Sequence, residues 1–175
     1  RFGRQVSGYS LEHLLPENGT DLAKALVGTE GTVGTLLEAK LRLVPIAAAP
    51  VLVVLGYPDM PAAADAVPAL LAHRPIAIEG MDARLVDVVR RVRGAAAVPD
   101  LPPGAGRLMV EVGGDTLDEA LERARALAAD AGTRAVALFP PGAEATAMWR
   151  IREDGAGLGG RTPSGEQAWP GFEDS

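Results

Sequence analysis

Apolar and polar residues follow several distinct rhythms along this chain, and each rhythm predicts an element. From Leu37 to Leu43 the positions Leu37, Ala39, Leu41 and Leu43 alternate with Glu38, Lys40 and Arg42, the two-residue period of a strand with one buried face. Val51-Leu-Val-Val-Leu55 is apolar without interruption, a continuous run of strand length. The spacing then becomes helical. Ala64, Val67, Leu70 and Leu71 share one face of a helix that starts near Pro61, a favourable first helical residue. Pro68 is expected to kink or split that helix. Pro75 to Glu79 predicts a second, shorter strand, and Met81 to Arg93 a helix with Leu85, Val88, Val89 and Val92 on one face. Gly94 to Gly106, rich in Pro, Gly and Ala, is a loop.

Arg107 to Val112 predicts a third strand, turned by Gly113-Gly114. Thr116 and Glu119 form a capping box for the next helix. That helix buries Leu117, Leu121, Ala124, Leu127 and Ala128, carries a Glu119–Arg123 pair and stops at Gly132. Arg134 to Phe139 is a fourth strand, ended by Pro140-Pro141, and Ala143 to Glu153 a last helix joining Ala147, Met148 and Ile151. Two split β-α-β units arise, with one helix between them. The expected fold class is therefore α+β: a ferredoxin-like antiparallel sheet with helices on one face. A doubly wound parallel sheet is the alternative. It wants long apolar strands covered on both faces, and only Val51–Leu55 has that character.

The first residues follow another logic. Ser10 can cap a short helix through Leu11, Leu14 and Leu15, closed by Pro16; Glu17-Asn18-Gly19 is a turn; Thr20 starts a second helix with Leu22, Ala25 and Leu26 on one face. Two short helices and one strand do not enclose a core, so this piece is expected to complete a domain that precedes Arg1. The chain reads as a segment excised from something longer. Residues 1–46 form that piece, with Ile46 to Pro50 as linker; residues 47–154 form the ferredoxin-like domain; residues 155–175 are a Gly-rich tail with two isolated aromatics, Trp169 and Phe172.

Composition narrows the function classes. Of 175 residues 47% are hydrophobic, enough for a sizeable core and against wholesale disorder. The net charge of −6 disfavours a general nucleic-acid binder, which needs a basic surface to displace counterions. With no cysteine there is no disulfide, thiolate nucleophile or iron–sulfur ligand in this chain. His13 and His73 fall in different predicted helices and lack the spacing of a metal site. The longest apolar run, Ala47 to Leu55, is broken by Pro50 and is far too short for a membrane span.

Chemistry concentrates in Gly28-Thr29-Glu30-Gly31-Thr32-Val33-Gly34. Glycines there permit positive φ and close approach of the backbone to a ligand, while a helix C-cap and turn is the plain alternative. A phosphate loop of the Gly-Lys-Ser/Thr kind is excluded, because the loop holds no lysine and follows a helix rather than a strand. The dinucleotide fingerprint fails on spacing and on the same order. Backbone amides, acting as an anion-binding nest, remain.

Gly8-Tyr9-Ser10-Leu11, then Val27-Gly-Thr-Glu-Gly-Thr32, then Leu41-Arg-Leu-Val-Pro45 resembles the end of the FAD-binding domain of FAD-linked oxidases in the vanillyl-alcohol oxidase superfamily. The likeness is to the glycolate oxidase/D-lactate dehydrogenase branch, and within it to long bacterial members with a C-terminal iron–sulfur region. The resemblance implies that Gly28, Thr29, Glu30, Gly31 and Thr32 lie against the flavin of FAD. It makes residues 1–46 the last piece of the FAD-binding domain and residues 47–154 the substrate-covering cap, with 155–175 leading into the rest of that cap. Met148-Trp-Arg-Ile-Arg-Glu153 is similar to the cap helix whose arginine, just before the glutamate, binds the substrate carboxylate; that residue is Arg152. The plain alternative for Arg152 is a solvated arginine paired with Glu153 or another carboxylate.

No catalytic residue and no metal ligand is assigned. The implied function is oxidation of a 2-hydroxy acid such as D-lactate or glycolate by hydride transfer to flavin. Implied partners are that substrate, an FAD domain and an iron–sulfur region of the same protein, with no nucleic acid and no membrane span. The implied location is the cytoplasm, or the membrane periphery through an electron acceptor. The segment that binds the FAD pyrophosphate would precede Arg1 and the family's metal-associated histidine motif would follow Ser175, so this chain alone is not expected to retain FAD. Ala156 stands where some relatives place a substrate-binding threonine. A non-catalytic ferredoxin-like binding or interaction module is the alternative function.

Overall fold

The structure, a computed structural model, describes residues 8–158; Trp169 and Phe172 lie outside them. The described residues fall into two compact units, one up to Val44 and the other from Pro45 onward.

The larger unit is built on β1 (Ala49–Tyr57), in which Val51, Val53, Val54 and Leu55 have no exposed surface. β1 pairs antiparallel with β3 (Gly106–Gly114) on one side and with β4 (Val136–Phe139) on the other, and β2 (Ala77–Asp82) extends the sheet beyond β3. The order is β2-β3-β1-β4, the interleaving of two split β-α-β units. One face carries α2 (Met60–Leu71) and α4 (Leu117–Ala129), which close over Val51, Val53, Leu55, Leu108, Val110 and Val112 with Ala63, Leu70, Ala120, Ala124 and Leu127.

The other face is covered too. There Leu52, Val54 and Met109 meet Val86 and Val89 of α3 (Ala83–Arg93) and Met148 and Ile151 of α5 (Ala143–Leu158). Helices on one face was the expectation, and the two-sided arrangement corrects that detail. The cause lies in β1: an uninterrupted apolar run leaves one side chain in two pointing away from α2 and α4, and that second apolar face has to be removed from water.

Local chemistry sets the element boundaries. Asp59 caps α2 by accepting a hydrogen bond from Ala62 N–H at 2.8 Å. Pro68 does not split the helix, which runs on to Leu71, held by Leu70 in the core. Asp82 caps α3, accepting from Arg84 N–H at 2.7 Å. The capping box of α4 forms: Thr116 Oγ1 accepts from Glu119 N–H, and the Glu119 carboxylate reaches back to the amide of Asp115. Arg123 joins Glu119 at 2.5 Å and donates to Gly113 O, tying α4 to the end of β3.

The smaller unit is mostly turns. Two single 3₁₀ turns, Leu11–Leu14 and Pro16–Asn18, precede the short helix α1 (Leu22–Leu26). Asp21, not Thr20, caps α1, accepting from Lys24 N–H at 3.1 Å. The strand expected from Leu37 to Leu43 is absent, and Leu37, Leu41 and Leu43 are 94%, 78% and 89% exposed. A strand needs a neighbour to accept its ladder hydrogen bonds, and among the described residues this unit contains no other strand. No helix of the described residues is long and apolar enough to cross a membrane.

Candidate functional site

The glycine loop directly follows α1. Gly28, Glu30 and Gly31 take φ of 82°, 51° and 72°, so the backbone turns back on itself where only glycine is comfortable at two of three positions. Thr29 is buried; its hydroxyl donates to Leu26 O at 2.9 Å and its amide to the same carbonyl at 3.4 Å, sealing the end of α1. The Thr32 hydroxyl donates to Thr29 O at 2.6 Å, so the Tyr9 O–H, 2.5 Å away, donates to Thr32. Both threonine protons are thus spent inside the loop.

What the loop turns outward is backbone. Among the described residues, the amides of Gly28, Glu30, Gly31, Val33 and Gly34 have no backbone acceptor. A Cβ added at Gly31 or Gly34 would meet nothing within 4 Å. Residues 28–34 contain no cation to face a pyrophosphate. A ligand at this loop would meet backbone N–H donors and no side-chain cation.

Arg152 belongs to the other unit. Met148 and Ile151 anchor α5 with 0% and 1% exposure, and Arg152 follows directly, half exposed. Its Nη2 lies 3.0 Å from Glu79 Oε1 on β2. The sequence pattern singled out Arg152 but not Glu79; the pair is the plain alternative of an arginine matched with another carboxylate, with Glu79 rather than Glu153 as that carboxylate. The missed signal was a carboxylate in a strand with Ile78 and Met81, on the same face as Met81. Trp149 packs at the margin of the α3/α5 core.

The four arginines of α3 stay at the surface, three of them in ion pairs: Arg84 with Asp82, Arg90 with Asp87 and Arg93 with Asp154. Hydrogen bonding by the Arg84 side chain, with a further bond from its amide, holds the Asp82 carboxyl below its ordinary value. Arg107 on β3 is the exception in being buried. Its Nε donates to Pro102 O at 2.9 Å while Nη1 has no partner among the described residues, and burial pulls its pKa down. His73 and Asp130 meet at 2.8 Å between the ends of α2 and α4. Among the described residues no cluster of three or more His, Cys, Asp or Glu is placed to hold a metal.

The fold so described is an α+β domain with ferredoxin-like strand order and a helical layer on each face of its sheet. The family described as FAD linked oxidases, C-terminal domain, matches residues 46–174, and the chain belongs to this family of FAD-linked enzymes. The D-2-hydroxyglutarate dehydrogenase of Escherichia coli is 30% identical over 139 residues, 74% of this chain and 14% of that protein. The D-2-hydroxyglutarate dehydrogenase of Pseudomonas putida is 38% identical over 87 residues, 49% of this chain and 9% of that protein. The chain thus spans a small fraction of the length of the curated relatives it matches.

Proposed function

We propose that this chain is the substrate-covering cap, with the adjoining flavin-facing loop, of an FAD-dependent dehydrogenase that oxidises a 2-hydroxy acid to the 2-oxo acid. Two D-2-hydroxyglutarate dehydrogenases among the relatives support the reaction class and make D-2-hydroxyglutarate the first substrate to try, with D-lactate and glycolate as the shorter alternatives. Bound FAD supplies the hydride acceptor. The remaining work falls to the protein. Gly28, Glu30 and Gly31 present backbone donors to the ring edge, Thr29 and Thr32 hold the loop's shape from within, and Tyr9 braces the loop through Thr32. Arg152 binds and orients the substrate carboxylate, since a guanidinium matches a carboxylate with two parallel hydrogen bonds. The sheet and its helices shield the site from water.

This reading divides the chain as residues 1–46 in the FAD-binding domain, 47–154 in the cap and 155–175 leading onward. It places a further FAD-binding segment and an iron–sulfur region elsewhere in the same protein, which works in the cytoplasm and passes electrons to an acceptor at the membrane. The observation that carries it is the half-exposed Arg152, set on a helix whose neighbouring turn is locked into the core of a domain of this family. The test is Arg152→Ala in the full-length gene product. Losing charge-assisted hydrogen bonds to a carboxylate should raise KM for the 2-hydroxy acid about 10- to 100-fold. An unchanged KM would remove Arg152 from the substrate site, and a gene product that binds no flavin and turns over no 2-hydroxy acid would favour a non-catalytic module.

A further inference from the structure

Among the described residues, Glu79 is the carboxylate that pairs with Arg152. The register places Glu79 opposite Met109, on the sheet face where Met81, Met109, Met148 and Ile151 form the α3/α5 core. A carboxylate at the edge of an apolar face costs desolvation and gains little stability from a pair whose partners are 34% and 49% exposed. Stability is therefore a weak reason for it to be there.

The geometry points to Glu79 as the positioning residue for Arg152, an inference that rests on the proposed role of Arg152 in taking the substrate carboxylate. Three observations carry it. The contact joins Glu79 Oε1 to Arg152 Nη2, one nitrogen of a group with five N–H donors, so a second edge of the guanidinium stays available for a bidentate ligand. The α5 backbone is fixed on both sides of Arg152. Met148 and Ile151 are buried before it, and Gly155 after it lies so close to α3 that a Cβ would come within 2.7 Å of Leu85 Cδ2. What stays free is the long arginine side chain itself. Holding its tip from β2 removes rotamer freedom that the substrate would otherwise have to remove on binding. Glu79 touches no substrate in this scheme; it acts through Arg152.

The opposite sign is physically possible and is what the experiment must separate. Were Glu79 a stand-in that occupies Arg152 until substrate displaces it, deleting the carboxylate would tighten binding. The test uses the full-length flavoprotein with D-2-hydroxyglutarate, D-lactate and glycolate, comparing Glu79→Ala, Glu79→Gln, Glu79→Asp, Arg152→Ala and the Glu79→Ala/Arg152→Ala double variant. Positioning requires that Glu79→Ala raise KM about tenfold with kcat changed less than about twofold. Glu79→Asp should recover part of the loss, and the double variant should be no worse than Arg152→Ala alone, because the two residues act as one unit. Glu79→Gln keeps the side-chain volume, and its melting temperature guards against a folding defect.

A fall in KM overturns the inference in favour of competition. Additive losses in the double variant overturn it in favour of independent roles, and an unchanged KM in Glu79→Ala overturns it outright. All three results leave the function itself standing when Arg152→Ala still raises KM. If Arg152→Ala has no effect, the proposed role of Arg152 fails, and the inference with it.

Discussion

Residues 49–57 and residues 36–44 are near neighbours in the chain, yet water treats them oppositely. In β1 Val51, Val53, Val54 and Leu55 are wholly excluded, while in the earlier segment Leu36, Leu37, Leu41 and Leu43 are 75% exposed or more. Both carry leucines and valines in strand-like patterns. What separates them is company. β1 has β3 along nine register pairs and β4 along four, and a helical layer over each face. The other segment has no neighbouring strand among the described residues of its unit. A strand is a property of a sheet, and an alternating sequence states only a willingness to join one.

The largest expected contrast comes from truncating one leucine in each region. Leu55→Ala should destabilise the chain by about 2–5 kcal/mol in denaturant unfolding, whereas Leu37→Ala should change it by less than about 0.5 kcal/mol. Equal effects would show that residues 36–44 are packed as tightly as β1 and would break the comparison.

Glycines sharpen it next. At Gly56 a Cβ would come within 2.1 Å of Pro103 O, a backbone atom that has little room to give, while at Gly34 it would meet nothing within 4 Å. Gly56→Ala should therefore cost about 1–3 kcal/mol or more and Gly34→Ala less than about 0.5 kcal/mol, both read from the same unfolding curves.

The smallest effect isolates a cap in the larger unit. Asp82→Ala removes the hydrogen bonds to Arg84 and should cost about 1 kcal/mol at neutral pH. Folding lowers the Asp82 pKa below 3.8, so its contribution is complete above the unfolded-state value and is lost as pH falls through the folded-state one. The difference between wild type and Asp82→Ala should hold from pH 7 to near the ordinary carboxylate range and shrink below it. A difference that grew on acidification would contradict this account of the cap.

Much of the larger unit was legible in the residues. The capping box at Thr116 and Glu119, the Glu119–Arg123 pair and the helical faces of α2 and α4 rest on contacts a few residues apart, which spacing encodes directly. The unbroken run Val51–Leu55 marks a strand without naming the second helical layer it calls for, and the helical period of α3 does not say which face it covers. That depends on long-range packing of Val86 and Val89 against Leu52 and Val54. The strand at Leu37–Leu43 failed for the same reason in reverse, since its period is local and its partners are not. Among the candidate site residues, Gly28–Thr32 and Arg152 stood out through spacing and resemblance. Glu79 did not, because an ion pair between residues so far apart in the chain leaves no local trace, and Arg107 gave no sign that its charge would be buried.

The central claim is that this cap serves a flavin-dependent oxidation of a 2-hydroxy acid held by Arg152. It is tested most directly by anaerobic titration of the full-length gene product with D-2-hydroxyglutarate, D-lactate and glycolate, following the flavin absorbance. The expected result is a yellow protein whose visible band bleaches with at least one of these acids, and at much higher acid concentration in Arg152→Ala. A colourless protein, a band that none of the acids bleaches, or a titration that Arg152→Ala leaves unchanged would contradict it.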